Sequence, residues 1–179
     1  MNKVIVYGST YGTTRQYAEE LSKRTHIKAF SFKDSILQIN DYDLIIYLGG
    51  LYAGGVLGMA KTLKKIKDIS SKQFIIVTVG LSDPTDEVNR KNIRNNIKGQ
   101  IAKEVFLKAK IFHLRGGIDY SRLSFVHKTM MGLVYKKVKN LPEEKQSAED
   151  KALIETYNKS VNFLDFSSLD EIIKEGQLI

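Results

Sequence analysis

The chain contains no cysteine, and that one absence removes a whole set of chemistries. Disulfides, thiolate nucleophiles, iron–sulfur clusters and cysteine-ligated zinc are excluded, and nothing argues for secretion. Long apolar runs are missing as well. No stretch approaches the about 18 residues that a membrane-spanning helix needs, and the opening MNKVIVYG lacks the extended apolar centre of a signal peptide. A cytoplasmic protein is the expectation. Internal repeats and low-complexity segments are absent. The three histidines, His26, His113 and His127, show no metal-ligand spacing, so no metal is expected.

What is present is ordinary in amount and uneven in arrangement. The 179 residues are 42% hydrophobic and 27% charged, which fits one soluble globular domain over 1–179 with a sizeable core. The net charge is +8, and it is concentrated mid-chain. Residues 61–110 carry +7 and residues 111–140 carry +5, whereas 1–60 carry +1 and 141–179 carry −5. The basic centre either forms a solvated lysine-rich surface or attracts an anionic partner. Nucleic acid is not expected, because the lysines are scattered over helical segments without a recognition motif.

Apolar β-branched runs alternate with amphipathic stretches. The segments 3–8 (KVIVYG), 27–32, 42–50 (YDLIIYLGG), 73–80 (QFIIVTVG) and 110–116 read as strands. The run 42–50 is apolar almost throughout, as in a strand covered on both faces. Helices are expected over 14–24, 57–67, a long segment after Pro84, 121–139, 150–163 and 168–176. Ser168 and Glu171 have the spacing of a capping box. The polar segment 139–150 reads as a surface connection. Five strands alternating with helices imply an α/β three-layer sandwich, a five-stranded parallel sheet with helices on both faces.

In such a sheet ligands bind beyond the carboxyl ends of the strands, and four loops there have unusual composition. The first, Ser9-Thr10-Tyr11-Gly12-Thr13-Thr14, lies between the first strand and the first helix. It suits either a capped turn or a phosphate cup that works through hydroxyls and backbone N–H groups, since it carries no lysine. The second is GGLYAGG, with Gly50, Leu51, Tyr52, Ala53 and Gly54. The third begins at Val79, Gly80 and Leu81 and carries Asp83, Asp86 and Glu87, which read as an acidic helix N-terminus. The fourth, RGGIDYSRLSF, contains Tyr120.

Taken together, these loops carry a resemblance. GSTYGTT resembles the phosphate loop of flavodoxins, T/S-x-T-G-x-T, with Ser9 to Thr14 matching position by position. YDLIIYLGGLYAGG is similar to that family's second flavin loop, and VTVG with Leu81 to its third. The segment GGIDYSRLSFVHKTMMGLVYKKV further resembles the branch that includes menaquinone-dependent protoporphyrinogen oxidases. The resemblance implies a flavodoxin-like fold with strand order 2-1-3-4-5 and one non-covalent FMN. It also implies that Tyr52 or Tyr120 covers the ring, because the third loop has no aromatic residue.

Three functions are compatible with this reading. The first is a flavodoxin-type redox protein, an electron carrier or small FMN-dependent oxidoreductase serving a partner protein or a small anionic substrate. The second is a protoporphyrinogen oxidase-like enzyme with a quinone acceptor, its rim lined by Arg115, Arg122 and Lys128. The third is a flavin-free module that binds a phosphate-bearing ligand. No catalytic side chain is required in any flavin reading, because the cofactor carries the chemistry. The stripe Phe125, Met130, Leu133, Val134 and Val138, flanked by lysines, is either core contact or a peripheral membrane surface.

Overall fold

A computed structural model of the chain describes residues 1–34, 38–52 and 55–179. Five strands form its central parallel sheet: β1 (Lys3–Gly8), β2 (Ala29–Ser31), β3 (Leu44–Tyr52), β5 (Gln73–Gly80) and β6 (Lys110–Arg115). They lie in the order β2-β1-β3-β5-β6, which is the flavodoxin-like 2-1-3-4-5 arrangement. A two-residue strand, β4 (Gly55–Val56), folds back antiparallel on the end of β3.

The apolar runs are continuous because alternate side chains enter two different cores. On one face Ile5, Ile46 and Ile75 stand in register. They pack with Tyr17, Ala18 and Leu21 of α1 (Thr13–Thr25) and with Leu169 and Ile172 of α7 (Leu169–Gly176). On the other face Val4, Ile45, Tyr47, Phe74 and Ile76 meet three helices. These are α2 (Met59–Leu63), α3 (Glu87–Gln100) and α4 (Lys103–Lys108), which contribute Met59, Ile93, Ile97 and Val105.

Several expected elements are shorter or differently joined. The helix expected over 57–67 is α2 alone. Its end tightens through Lys65 N–H to Thr62 O and Ile66 N–H to Leu63 O, three-residue closures that cannot continue an α-helix. The long segment after Pro84 is two helices. Ile101 adopts an extended conformation between them, and the Gln100 side chain turns inward to accept the Val56 amide at 3.0 Å. The helix expected over 121–139 is a 3-10 turn (Tyr120–Arg122) followed by α5 (Phe125–Lys139), capped by Ser124. The helix expected over 150–163 is α6 (Ala148–Thr156), after which Asn158 takes a left-handed conformation. The chain then forms β8 (Ser160–Asn162), antiparallel to β7 (Gly117–Asp119). This second, two-stranded sheet went unread because strands of three residues show no periodicity.

The capping box also sits elsewhere. Ser168 belongs to a 3-10 turn, has helical backbone angles and makes no side-chain cap. The reciprocal pair is Ser147 with Asp150, at 3.1 and 3.0 Å, opening α6. Among the described residues no helix is long and apolar enough to cross a membrane. No group of three His, Asp or Glu among them could hold a metal ion.

Leu169 is fully buried in the core that joins α7 to β1, β3 and α1. Leu169→Ala is expected to destabilise the fold by about 2–5 kcal/mol, read as a lower urea midpoint at unchanged m-value. A loss below about 1 kcal/mol would show that α7 is an appendage rather than part of the core.

Candidate functional site

The parallel strands β1, β3, β5 and β6 end on the same edge of the sheet, and a cavity of about 350 Å³ opens beyond them. The first loop contributes Tyr11, Thr13 and Thr14 to its wall. Gly12 holds the turn into α1 with φ 96°, in the left-handed region that glycine tolerates, and no side chain caps the helix. Gln16 N–H is bonded back to Gly12 O at 3.0 Å. The amides of the preceding first turn have no carbonyl behind them in the helix, and the positive end of its dipole lies there.

The hydroxyls of this loop divide into two groups. Ser9 Oγ accepts the Gly12 amide at 3.1 Å, and Thr13 Oγ1 donates to Gly117 O at 3.2 Å. The Ser9 bond holds the loop's own shape, and the Thr13 bond ties the loop to the start of β7. Ser9, Thr10 and Gly12 do not line the cavity, whereas the buried Thr14 does. Tyr11 brings a donor that composition alone did not single out. Its hydroxyl is buried with no partner among the described residues. Burial, reinforced by neighbouring Tyr52, pushes its pKa up to about 12, so it stays a neutral donor. A buried hydroxyl left unpaired costs about 1–3 kcal/mol, and a ligand oxygen would recover that.

In the second loop Gly50, Leu51 and Tyr52 line the cavity, while Ala53 and Gly54 lie outside the described residues. Tyr52 Oη donates to Met130 Sδ at 2.8 Å, tying this loop to α5. In the third loop Val79, Gly80 and Leu81 line the cavity. Asp86 caps α3 by accepting the Asn89 amide at 3.0 Å, and Asp83 accepts from Thr85. These acids organise the helix start, as expected of that cluster.

Two expectations need correcting. Tyr120 is not in the cavity wall. It is buried because its ring packs edge-on to Tyr157, centroids 5.4 Å apart, while Gly116, Gly117 and Ile118 of the same loop do line the cavity. Arg115 is not a free rim cation either. Its Nε donates to Leu81 O at 3.0 Å and its guanidinium sits 3.7 Å from the centre of the Phe163 ring. It braces the third loop.

The outer wall comes from residues not assigned to a site from the sequence: Met130, Met131 and Val134 of α5, and Glu149 and Leu153 of α6. Met130 and Val134 belong to the stripe that reads as core contact or membrane surface, and Glu149 falls in a stretch that reads as a polar surface connection. Leu51, Val79, Leu81, Ile93 and Leu153 make the walls mostly apolar, and the volume falls in the usual range for small ligands. A flat apolar ring carrying a phosphate fits this chemistry. The open N-terminus of α1 lies at one end, and apolar side chains flank the rest.

A family model described as "Flavodoxin domain" matches residues 4–145. No curated protein matches the chain. Among solved structures, the chain is similar to a putative flavoprotein from Bacteroides eggerthii (12% identity, 74% of this chain and 96% of that one, TM-score 0.46). It is also similar to a flavodoxin from Pseudomonas aeruginosa (14%, 76% and 96%, TM-score 0.43). A third is a Fusobacterium nucleatum flavodoxin bound to flavin mononucleotide (19%, 70% and 75%, TM-score 0.45). Likeness at that level assigns nothing by itself, and the assignment rests on the family model.

Beside the cavity, His113 of β6 lies in register with Thr78 of β5, and its Nδ1 is 2.7 Å from Thr78 Oγ1. Burial, with repulsion from Arg94 and Arg90, pulls the His113 pKa from 6.5 down to about 4. The folded chain therefore binds this proton more weakly than the unfolded chain. Stability from this group is complete above the unfolded value and falls as pH drops toward the folded one. Urea midpoints followed from about pH 7 to about pH 4.5 are expected to fall less steeply in His113→Gln than in the unmodified protein. Equal slopes would remove His113 as the cause.

Proposed function

The chain belongs to the flavodoxin domain family, and from that premise we propose that it binds one FMN non-covalently in this cavity and passes electrons through it. The observation that carries this is the joining of α1's open N-terminus to an apolar cavity between the second and third loops. Bound FMN supplies one- and two-electron chemistry. The protein's own part is to hold the phosphate, flank the ring and exclude water.

The phosphate would be held by the first-turn amides of α1, the Thr14 hydroxyl and the Tyr11 hydroxyl, with no lysine. Leu51, Tyr52 and Leu81 would flank the ring. Apolar cover of this kind lowers the local dielectric and strengthens each remaining polar contact. Tyr52 keeps its hydroxyl engaged with Met130, so the second loop and α5 would close over the ligand as one wall.

A narrower reading makes the protein an oxidase of protoporphyrinogen type with a quinone acceptor. It is favoured by the resemblance of residues 116–138 to that branch and by the character of α5. Of this helix only Val138 is buried. Phe125, Val126 and Leu133 are exposed at 83%, 72% and 65%, while Met130 and Met131 of the same helix line the cavity. An apolar acceptor would find a path along α5 to the flavin, and Arg122, Lys128 and Lys136 would attract an anionic substrate or partner protein.

Purified protein supplied with FMN is expected to turn yellow and quench flavin fluorescence stoichiometrically. Protein that stays colourless in excess FMN would overturn the proposal in favour of a flavin-free module. Thr14→Val removes one hydroxyl from a charged acceptor, worth about 1.5–3 kcal/mol, so its FMN Kd is expected to rise about 10- to 100-fold. For the narrower reading, loaded protein should oxidise protoporphyrinogen with menadione faster than free FMN does. Equal rates would remove it and leave the electron carrier.

A further inference from the structure

We infer that Glu149 of α6 is the residue that recognises the pyrimidine edge of the flavin, accepting a hydrogen bond from its N3–H and placing a fixed negative charge beside the ring. This rests on the FMN reading above and concerns a residue outside the stretch matched by the family model, which ends at 145.

Three features place the carboxylate. Ser147 and Asp150 cap the start of α6 reciprocally, which fixes the backbone on either side of Glu149. The half-buried side chain then reaches the end of β5. A Cβ added at Gly80 would come within 2.6 Å of Glu149 Oε1 and 2.8 Å of Leu51 Cδ1. Glycine at position 80 is therefore what lets the carboxylate and the second loop meet there. Finally, Oε1 is held from below. Ser82 Oγ donates to it, and Asn89 Nδ2 donates to Ser82 Oγ at 2.6 Å and to Asp83 O at 3.2 Å. Ser82 and Asn89 are themselves buried, 5% and 3% exposed.

The chain of donors stops at Oε1. Oε2 accepts from nothing among the described residues, and Glu149 stands in a cavity wall shared with Leu51, Leu81, Ile93 and Leu153 and with Asn92 and Asn96. A cavity-wall carboxylate with one oxygen still free to accept can take a donor from a ligand. An isoalloxazine ring offers one: its pyrimidine edge presents N–H between two carbonyls, and its dimethylbenzene edge presents none. The ligand's phosphate cannot take this place, because like charges repel. It belongs two strands away at the N-terminus of α1, on the order of 10 Å across the sheet edge. The two ends of the cavity thus sort the two ends of the cofactor. A fixed negative charge beside the ring also makes the addition of electrons less favourable than a neutral side chain would.

Fluorescence titrations of the full chain with FMN and with N3-methyl-FMN test the contact, and a redox titration of the bound FMN tests the charge. The unmodified protein is expected to bind FMN about tenfold or more tighter than N3-methyl-FMN, the size of one hydrogen bond to a charged group. Glu149→Ala should lose most of that preference. Glu149→Gln keeps an acceptor of the same shape, so it should retain much of the preference and move the midpoint potential upward. No preference in the unmodified protein, or the same preference in Glu149→Ala, would overturn the contact. An unchanged potential in Glu149→Gln would overturn the charge, and it decides the matter by itself if the alanine variant does not fold. Failure of the unmodified protein to bind either flavin would instead overturn the FMN reading.

Discussion

The structure depends on one constraint, the burial of β3 on both of its faces. Leu44, Ile46 and Leu48 point into one core, and Ile45 and Tyr47 into the other. All five are at most 2% exposed. A parallel strand buried in this way needs helices above and below, and each helix needs a connection that crosses the sheet in the same sense. The strand ends then gather along one edge. The site is a by-product of that gathering: four loops must turn there, and one of them opens directly into the N-terminus of α1.

This is why so much of the architecture was legible before any coordinates. Continuous apolar runs such as 42–50 give away the central strands, and their alternation with helical periodicity gives away the layers. The first-loop motif, read beside the later glycine-marked loops, points to the end of the sheet where the cavity opens. What could not be read is whatever depends on partners distant in sequence. Nothing near Ser9 or Thr13 says that one hydroxyl closes the loop and the other reaches Gly117 while Tyr11's stays unpaired. Nothing near Arg115 says that Leu81 and Phe163 will claim its guanidinium. Nothing near Tyr120 says that Tyr157 will pack edge-on against it. Glu149 carried no signal, because a lone glutamate in a polar segment is ordinarily solvated.

The walls of the cavity differ in how firmly they are held. The inner wall is the sheet edge itself. The outer wall is α5 and α6, joined to each other by the stacking of Tyr135 on Tyr157, with centroids 3.9 Å apart and planes 6° from parallel. α5 reaches the sheet-edge loops through the Tyr52 hydroxyl on Met130 and through His127, whose ring stands edge-on to Tyr11 with centroids 5.9 Å apart. A helix with so little buried surface has a low local stability relative to the sheet. The rigid half of the site would position a ring, and the less anchored half decides what may approach it.

Residues 163–178 fold back over the first strand. Asp165 N–H donates to Tyr17 Oη at 2.9 Å, and Tyr17 donates onward to Arg115 O at 2.8 Å. Lys3 Nζ donates to Gln177 O at 3.1 Å, across 174 residues of sequence. This arrangement sets an order of events during synthesis. When β1 and α1 leave the ribosome, the apolar face they share lacks the cover that residues 163–178 later supply. Contacts of such long sequence separation are slow to form because loop closure precedes any gain from packing. The Ile5–Leu21 surface therefore stays without part of its cover until residues 163–178 have been made.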